Sequence, residues 1–192
     1  MTAEPVFLRP LDVTDGERIN KWHNDPALYD YLGGSFCFVS RPSTEEWLRN
    51  KQSALGEVNL AICNSEDASE HVGNIYLRNI DWVSRHGELH ILIGNAAHRS
   101  KGFGQSAIRQ LVRHAGHDLG LRRLYLFVNE DNNAAIRTYE KCGFTIEGTL
   151  HKHVFKRGHF INVHLMGLCF EEPIEPGAHD SAPVESVPRD PH

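Results

Sequence analysis

Glu88-Leu89-His90-Ile91-Leu92-Ile93-Gly94, followed four residues later by Arg99-Ser100-Lys101-Gly102-Phe103-Gly104, decides how this chain folds. In the first segment Leu89, Ile91 and Ile93 alternate while Leu92 adds an apolar side chain to the other face, as in a strand buried on both sides. Beyond the second segment, Ile108, Leu111, Val112, Ala115 and Leu119 recur at helical spacing and make one apolar stripe. The reading is strand, glycine turn, helix, with Arg99 opening the turn. Gly102 and Gly104 let the backbone approach a ligand where a Cβ would collide. The first N–H groups of the helix have no intrahelical acceptor and favour negative charge. The turn is expected to cradle a phosphate.

Working outward, Leu124-Tyr125-Leu126-Phe127-Val128 is a nearly continuous apolar run after the helix, as expected of a strand parallel to the first. Asn132 to Lys141 predicts a short helix, with Gly143 where a left-handed cap belongs. Segments 144–147, 150–156 and 160–170 predict closing strands, the last two joined at Arg157-Gly158 as a hairpin. Toward the N-terminus, Val6 to Arg9 predicts a strand, and Thr14 or Asp15 caps a helix reaching Trp22. Asn24-Asp25-Pro26 breaks that helix, and residues 27–42 are expected to be irregular and aromatic-rich. A second helix starts at Ser43 or Thr44 and runs to about Leu55. Val58 to Ile62 and His71 to Leu77 predict an antiparallel pair around a polar turn. The fold class is α/β: a mixed, mostly antiparallel central sheet with one parallel strand–helix–strand crossover and helices on both faces.

With 192 residues, 40% hydrophobic and 23% charged, one domain with an ample core is expected, spanning residues 1–170. Residues 171–192 hold six of the 25 acidic residues and one of the 20 basic ones, so the body retains nineteen of each and is neutral. That gives no reason to expect nucleic-acid binding. The same tail holds five of the nine prolines and is expected to be disordered. No apolar run reaches membrane-span length and the N-terminus lacks a leader pattern, so a cytoplasmic protein away from membranes is expected. Cys37, Cys63, Cys142 and Cys169 form no CxxC pair, which argues against a zinc knuckle or a disulfide framework. Among the 13 histidines, His151 and His153 share a strand face and His114 and His117 sit three apart on a helix. Neither pair has a third ligand in view, so no metal is expected.

Three segments therefore stand in order: Glu88 to Gly94, Arg99-x-x-Gly102-x-Gly104, and Asn132-x-x-Ala135-Ile136-x-x-Tyr139-Glu140-Lys141-x-Gly143-Phe144. Together they resemble the GNAT superfamily of acyl-CoA-dependent N-acetyltransferases, and within it the ribosomal-protein N-terminal and spermidine N-acetyltransferase branches. The resemblance runs from about Val6 to Phe170. It implies acetyl-CoA as cosubstrate, its diphosphate held by amides of Ser100, Lys101, Gly102, Phe103 and Gly104, with Arg99 adding charge. The parallel strands are then expected to splay after Ile91, freeing an amide of Leu92 or Ile93 for the pantetheine arm and the thioester carbonyl. Asn132, with Ala135, is implied beside that arm. Tyr139 matches the family's acid that protonates the leaving thiolate. Glu88, at the start of the central strand, is the best candidate to take the amine's proton, through water.

Plainer readings stand beside these. Tyr139 shares a helix face with Ile136 and also reads as core, and Glu88 also reads as a solvated strand-end carboxylate. Gly102-Phe103-Gly104-Gln105-Ser106-Ala107 fits a GxGxxA dinucleotide fingerprint, but antiparallel strands before and after it do not suit that fold. The acceptor surface implied by the resemblance draws on Trp22, Asp25, Tyr29, Asp30, Tyr31 and Phe36, facing residues 155–160. Aromatic rings with carboxylates suit a cationic amine, a polyamine or amino sugar, with a protein N-terminus as the alternative. Lys156 and Arg157 read as ordinary surface charges. A non-catalytic acyl-CoA-binding module remains a third class, and the oligomeric state, a homodimer included, is left open.

Overall fold

The computed structural model describes residues 5–30, 32–34, 36–53, 56–67 and 70–170. Tyr31 and the tail 171–192 lie outside the described residues. Seven strands form one sheet in the order β1-β2-β3-β4-β5-β7-β6. They are β1 (Val6–Pro10), β2 (Val58–Asn64), β3 (His71–Asp81), β4 (His86–Ile93), β5 (Arg123–Asn129), β6 (Thr145–Lys156) and β7 (His159–Cys169). Only β4 and β5 pair in parallel, and α4 (Phe103–His117) makes the crossover between them. This is the expected mixed sheet.

Helices cover both faces. On one side α4 and α5 (Asn133–Glu140) pack Leu111, Ala107, Ile108 and Ile136 against Ile75, Leu89, Leu124 and Leu126. On the other, α1 (Gly16–His23), α2 (Pro26–Tyr29) and α3 (Arg41–Ser53) bury Ile19, Trp22, Leu28 and Leu48 against Ala61, Tyr76 and Leu92. β4 contributes to both cores, Leu89 to the first and Leu92 to the second. That is why its sequence shows no clean alternation. Each fully buried aliphatic side chain contributes roughly 1.5–3 kcal/mol.

Several boundaries differ from expectation for identifiable reasons. Asp15 holds the N-cap position of α1, as expected, but makes no side-chain cap there; the side-chain cap lies one turn earlier, where the Asp12 carboxylate accepts from the Thr14 N–H at 2.8 Å and Asp15 reaches back to the Asp12 N–H at 2.9 Å. This capping box closes a 3₁₀ turn over Val13–Asp15 ahead of α1. Pro26 ends α1 but also starts α2 at the first helical position, capped by Asp25, so residues 27–42 are not wholly irregular. α3 begins at Arg41, two residues early, because Ser40 caps it through the Ser43 N–H. The two expected strands 144–147 and 150–156 are a single β6 with register shifts at Ile146/Gly148 and Leu150/Val154. Within the second shift Lys152 adopts φ +51°, so the simple alternation that put His151 and His153 on one face does not hold there. The β6–β7 hairpin turns on Arg157 (φ +48°) and Gly158 (φ +83°), as expected of a two-residue loop.

Candidate active site

The parallel pairing of β4 with β5 covers only His86↔Arg123, Gly87↔Leu124 and Glu88↔Tyr125. The strands therefore part three residues earlier than expected, after Glu88 and not after Ile91. Backbone N–H groups alternate between a strand's two neighbours, so past Glu88 every second amide of β4 points toward a gap and not toward β5. One of Leu92 and Ile93 is among them.

A cleft of about 610 Å³ opens at this fork, lined by Ile91, Leu92 and Ile93 of β4, the turn 98–105, and α5. Gly102 sits at φ +84° as N-cap of α4, and Ser100 at φ +59°. A Cβ on Gly102 would meet nothing within 4 Å, so glycine is needed there for backbone conformation and not, as expected, for space. The first intrahelical bond runs from Ser106 N–H to Gly102 carbonyl at 2.9 Å. The N–H groups of Phe103, Gly104 and Gln105 thus have no acceptor inside α4. A Cβ on Gly104 would sit 3.8–3.9 Å from Ile93 and Ile91, two side chains of the cleft wall, so the Gly104 backbone forms part of that wall. This is a cradle for an anion of diphosphate size.

Arg99 lines the cleft, but its Nε and Nη2 donate to the carbonyls of Ile93 (3.1 Å) and Gly94 (3.0 Å). It clamps the turn to the end of β4 while keeping its charge at the cleft. Arg137 of α5 and Lys141, its C-cap residue, line the opposite wall and were not singled out from sequence. Three cations thus border the cleft. Of the remaining turn residues, Ser100, Gly102 and Gly104 line it, whereas the Phe103 ring is buried against His98 (4.6 Å between centroids) and Lys101 is exposed.

Tyr139 and Asn132 come from the far side of the fork. Asn132 caps α5 through the Ala135 N–H at 3.2 Å, and both residues line the cleft. The Tyr139 ring is only 8% exposed and packs edge-on to Phe144, yet it also lines the cleft. It is core and cleft wall at once. Burial, with the Cys142 thiol nearby, pushes its phenol well above the usual range, so the hydroxyl keeps its proton.

Glu88 does not border the cleft. It is 9% exposed, on the α1–α3 face of the sheet, with Oε2 accepting from Asn79 Nδ2 at 2.7 Å and Oε1 3.0 Å from His90 Nε2. The His90 contact, with Asn79 and Arg78, outweighs burial and holds the carboxyl below its ordinary value. Neither His90 nor Asn79 carried a signal in the sequence. Asn79 reaches Glu88 because it sits at φ +50°, beside the β3–β4 register shift.

The expected acceptor residues divide. Trp22 is core: it is 8% exposed, and a Cβ on Gly94 would fall 2.1 Å from its ring, so it props β4 from behind. Asp25 caps α2. Tyr29 stacks edge-on with Phe36 at 5.4 Å. Asp30 lines a second, smaller cavity of about 270 Å³ with Asp131, Asn132, Lys156, Arg157, His159 and Ile161. Asn132 borders both cavities. Lys156 and Arg157 are not ordinary surface charges. Lys156 Nζ donates to the carbonyls of Tyr29 (2.6 Å) and Leu32, and Arg157 pairs with Asp30 at 2.5 Å, tying the hairpin across α2. Among the described residues no three His, Cys, Asp or Glu side chains converge on a metal-sized gap, and no helix is long and apolar enough to cross a membrane.

Comparison with known proteins agrees with this geometry. Residues 6–145 match the acetyltransferase (GNAT) domain family. A spermidine N(1)-acetyltransferase of Vibrio cholerae is 33% identical over 102 residues, 53% of this chain and 58% of that protein. Its Escherichia coli counterpart is 29% identical over 163 residues, 84% of each chain, and an Escherichia coli L-amino acid N-acetyltransferase is 25% identical over 84% of this chain and 96% of the other. The crystal structure of spermidine N-acetyltransferase from Vibrio cholerae in complex with CoA and spermine superposes with a TM-score of 0.80 at 25% identity, covering 87% of this chain and 96% of that one. The chain belongs to the GNAT family and is an acetyl-CoA-dependent N-acetyltransferase.

Proposed function

We propose that this enzyme acetylates a small cationic amine of the polyamine type, by direct attack of the amine on the thioester in the fork between β4 and β5. The observation that carries the reading is the second cavity. It adjoins the acetyl-CoA cleft through Asn132 and is bordered by two carboxylates, Asp131 and the Asp30 that Arg157 pairs, beside Lys156. A slim chain with one ammonium at the fork and another near Asp131 matches that shape. The relatives include spermidine acetyltransferases.

On this reading the amides of residues 100–104 hold the diphosphate, and Arg99, Arg137 and Lys141 balance its charge. The fork amide at Leu92 or Ile93 donates to the developing oxyanion, a stabilisation of about 3–4 kcal/mol, judged from removal of such donors. The attacking amine, with a pKa of about 10, must first lose a proton. Glu88 supplies the negative charge that draws it. Tyr139, still protonated, gives its hydroxyl proton to the departing sulfur.

The test is a thiol-release assay with acetyl-CoA over spermidine, monoamines, amino sugars, amino acids and N-terminal peptides. Polyamines should react fastest. Faster turnover of peptides would favour a protein N-terminal acceptor, and no release with any amine would leave only an acyl-CoA-binding module.

A further inference from the structure

Glu88 is an awkward base on its own. It lies outside the cleft, its carboxyl is held below the ordinary range, and a depressed carboxylate is a poor match for an ammonium near pH 7. His90 does not border the cleft either, but it shares Glu88's face of β4 and stands two residues, about 6.6 Å, closer to Leu92, which does. His90 Nε2 is buried, and among the described residues its polar neighbour is the Glu88 carboxylate at 3.0 Å, in an off-line approach. A carboxylate only accepts, so Nε2 carries the hydrogen. The lone pair is then on Nδ1, which has no hydrogen-bond partner among the described residues. The side chain is 39% exposed.

We infer that His90 receives the proton of the acceptor amine, with Glu88 acting through it as the positioning carboxylate. This rests on the acetyl transfer proposed above. The ammonium gives one proton to Nδ1, and the pair Glu88⁻–His90⁺ holds it until it passes to water. The freed nitrogen attacks the carbonyl carbon, a C–N bond forms and the oxygen takes the electron pair. On collapse the C–S bond breaks, Tyr139 protonates the sulfur, and the second nitrogen proton returns to Tyr139. One proton is released per acetyl group moved. The carboxylate–imidazole logic is the one by which an acid fixes the tautomer of a catalytic histidine elsewhere.

Among the described residues, the charged and titratable groups around the pair on this sheet face include Arg78 and Tyr76 of β3, Tyr125 and Arg123 of β5, the latter paired with Glu147 of β6, and His86 of β4, with His23 of α1 next to Trp47. Tyr76 is the cross-strand partner of His90, and Arg78 of Glu88.

His90→Gln keeps an N–H donor for Glu88 and removes the basic nitrogen. It is assayed with acetyl-CoA and the best amine of the acceptor panel from pH 6 to 9.5. kcat/KM should fall about 100-fold at pH 7, with the deficit shrinking as pH rises and the amine deprotonates unaided. Glu88→Gln should show the same pH-dependent deficit, smaller in size. CoA affinity by calorimetry should match the wild type in both. A His90→Gln enzyme with unchanged activity, or with a deficit constant across pH, overturns the assignment. Absence of thiol release by the wild type with every amine would instead defeat the acetyl transfer itself.

Discussion

The two sides of the β4–β5 fork are built by different means. On the α4 side the site is backbone: a left-handed Gly102, the free amides of the first helical turn, and a cap at Asn132. On the α1–α3 side it is side chain: Glu88 with His90 and Asn79, Asp30 with Arg157, Lys156 on two carbonyls. Backbone sites are written locally, as glycines and caps at fixed offsets. Side-chain sites are assembled from residues such as Asp30 and Arg157, 127 positions apart. In the proposed reaction the first kind binds the coenzyme, and the second is where the acceptor is chosen.

The comparison is tested most strongly where both sides meet, at Tyr139. Tyr139→Phe should lower kcat about 100-fold or more while CoA affinity by calorimetry stays within about 2-fold. Equal losses in both would make the residue part of the binding wall only. The next effect lies in the support of the acceptor side. Asp15 is 5% exposed, bridged to Arg9 at 2.7 Å and 3.1 Å from His71. Burial raises its carboxyl, but the hydrogen bonds of Arg9 and His71 outweigh this and hold it well below the usual range. A depressed carboxyl stabilises the fold above its unfolded value of about 3.9, and the contribution fades as pH falls from there toward the folded value. Thermal unfolding followed by circular dichroism should show that acid loss. Asp15→Asn should be about 2–3 kcal/mol less stable at neutral pH, with a flatter acid limb.

Glycines on the two sides should also differ. Gly94→Ala drives a Cβ into the Trp22 ring and should cost about 1–3 kcal/mol in urea unfolding. Gly104→Ala meets only ordinary contacts and should leave stability within about 1 kcal/mol. The smallest effect expected is at exposed Asp131. Asp131→Asn should raise KM for spermidine about 2- to 5-fold and leave a monoamine's KM unchanged, as suits a solvent-screened pair.

What was legible in the sequence follows the same division. The strand–turn–helix from Glu88 to His117, the parallel return at β5 and the caps at Asn132 and Gly143 could be read because each depends on neighbours within a few residues. The resemblance supplied roles for Tyr139, Asn132 and the turn amides that spacing alone left open. Trp22 was placed on the acceptor surface by the resemblance, although its spacing from Ile19 also puts it on the inner helix face; its 8% exposure and Gly94 beneath its ring decide for core. His90 was passed over inside an apolar strand, although strand alternation alone puts it on one face with Glu88. Arg137 and Lys141 were not singled out, because cations near the end of a short helix are ordinary. The capping role of Asp12 and the helix-starting role of Pro26 were missed because one residue type serves two local purposes.

The most direct measurement of the central claim, that amides at the start of α4 hold the coenzyme diphosphate, is calorimetric titration of coenzyme A into the wild type and Gly104→Val. A valine there keeps the helix but pushes methyl groups toward Ile91 and Ile93 in the cleft wall. The account predicts one site per chain in the wild type and at least a tenfold loss, about 1.4 kcal/mol, in a variant that unfolds at the same temperature. No uptake by the wild type, or equal uptake by both, would contradict it.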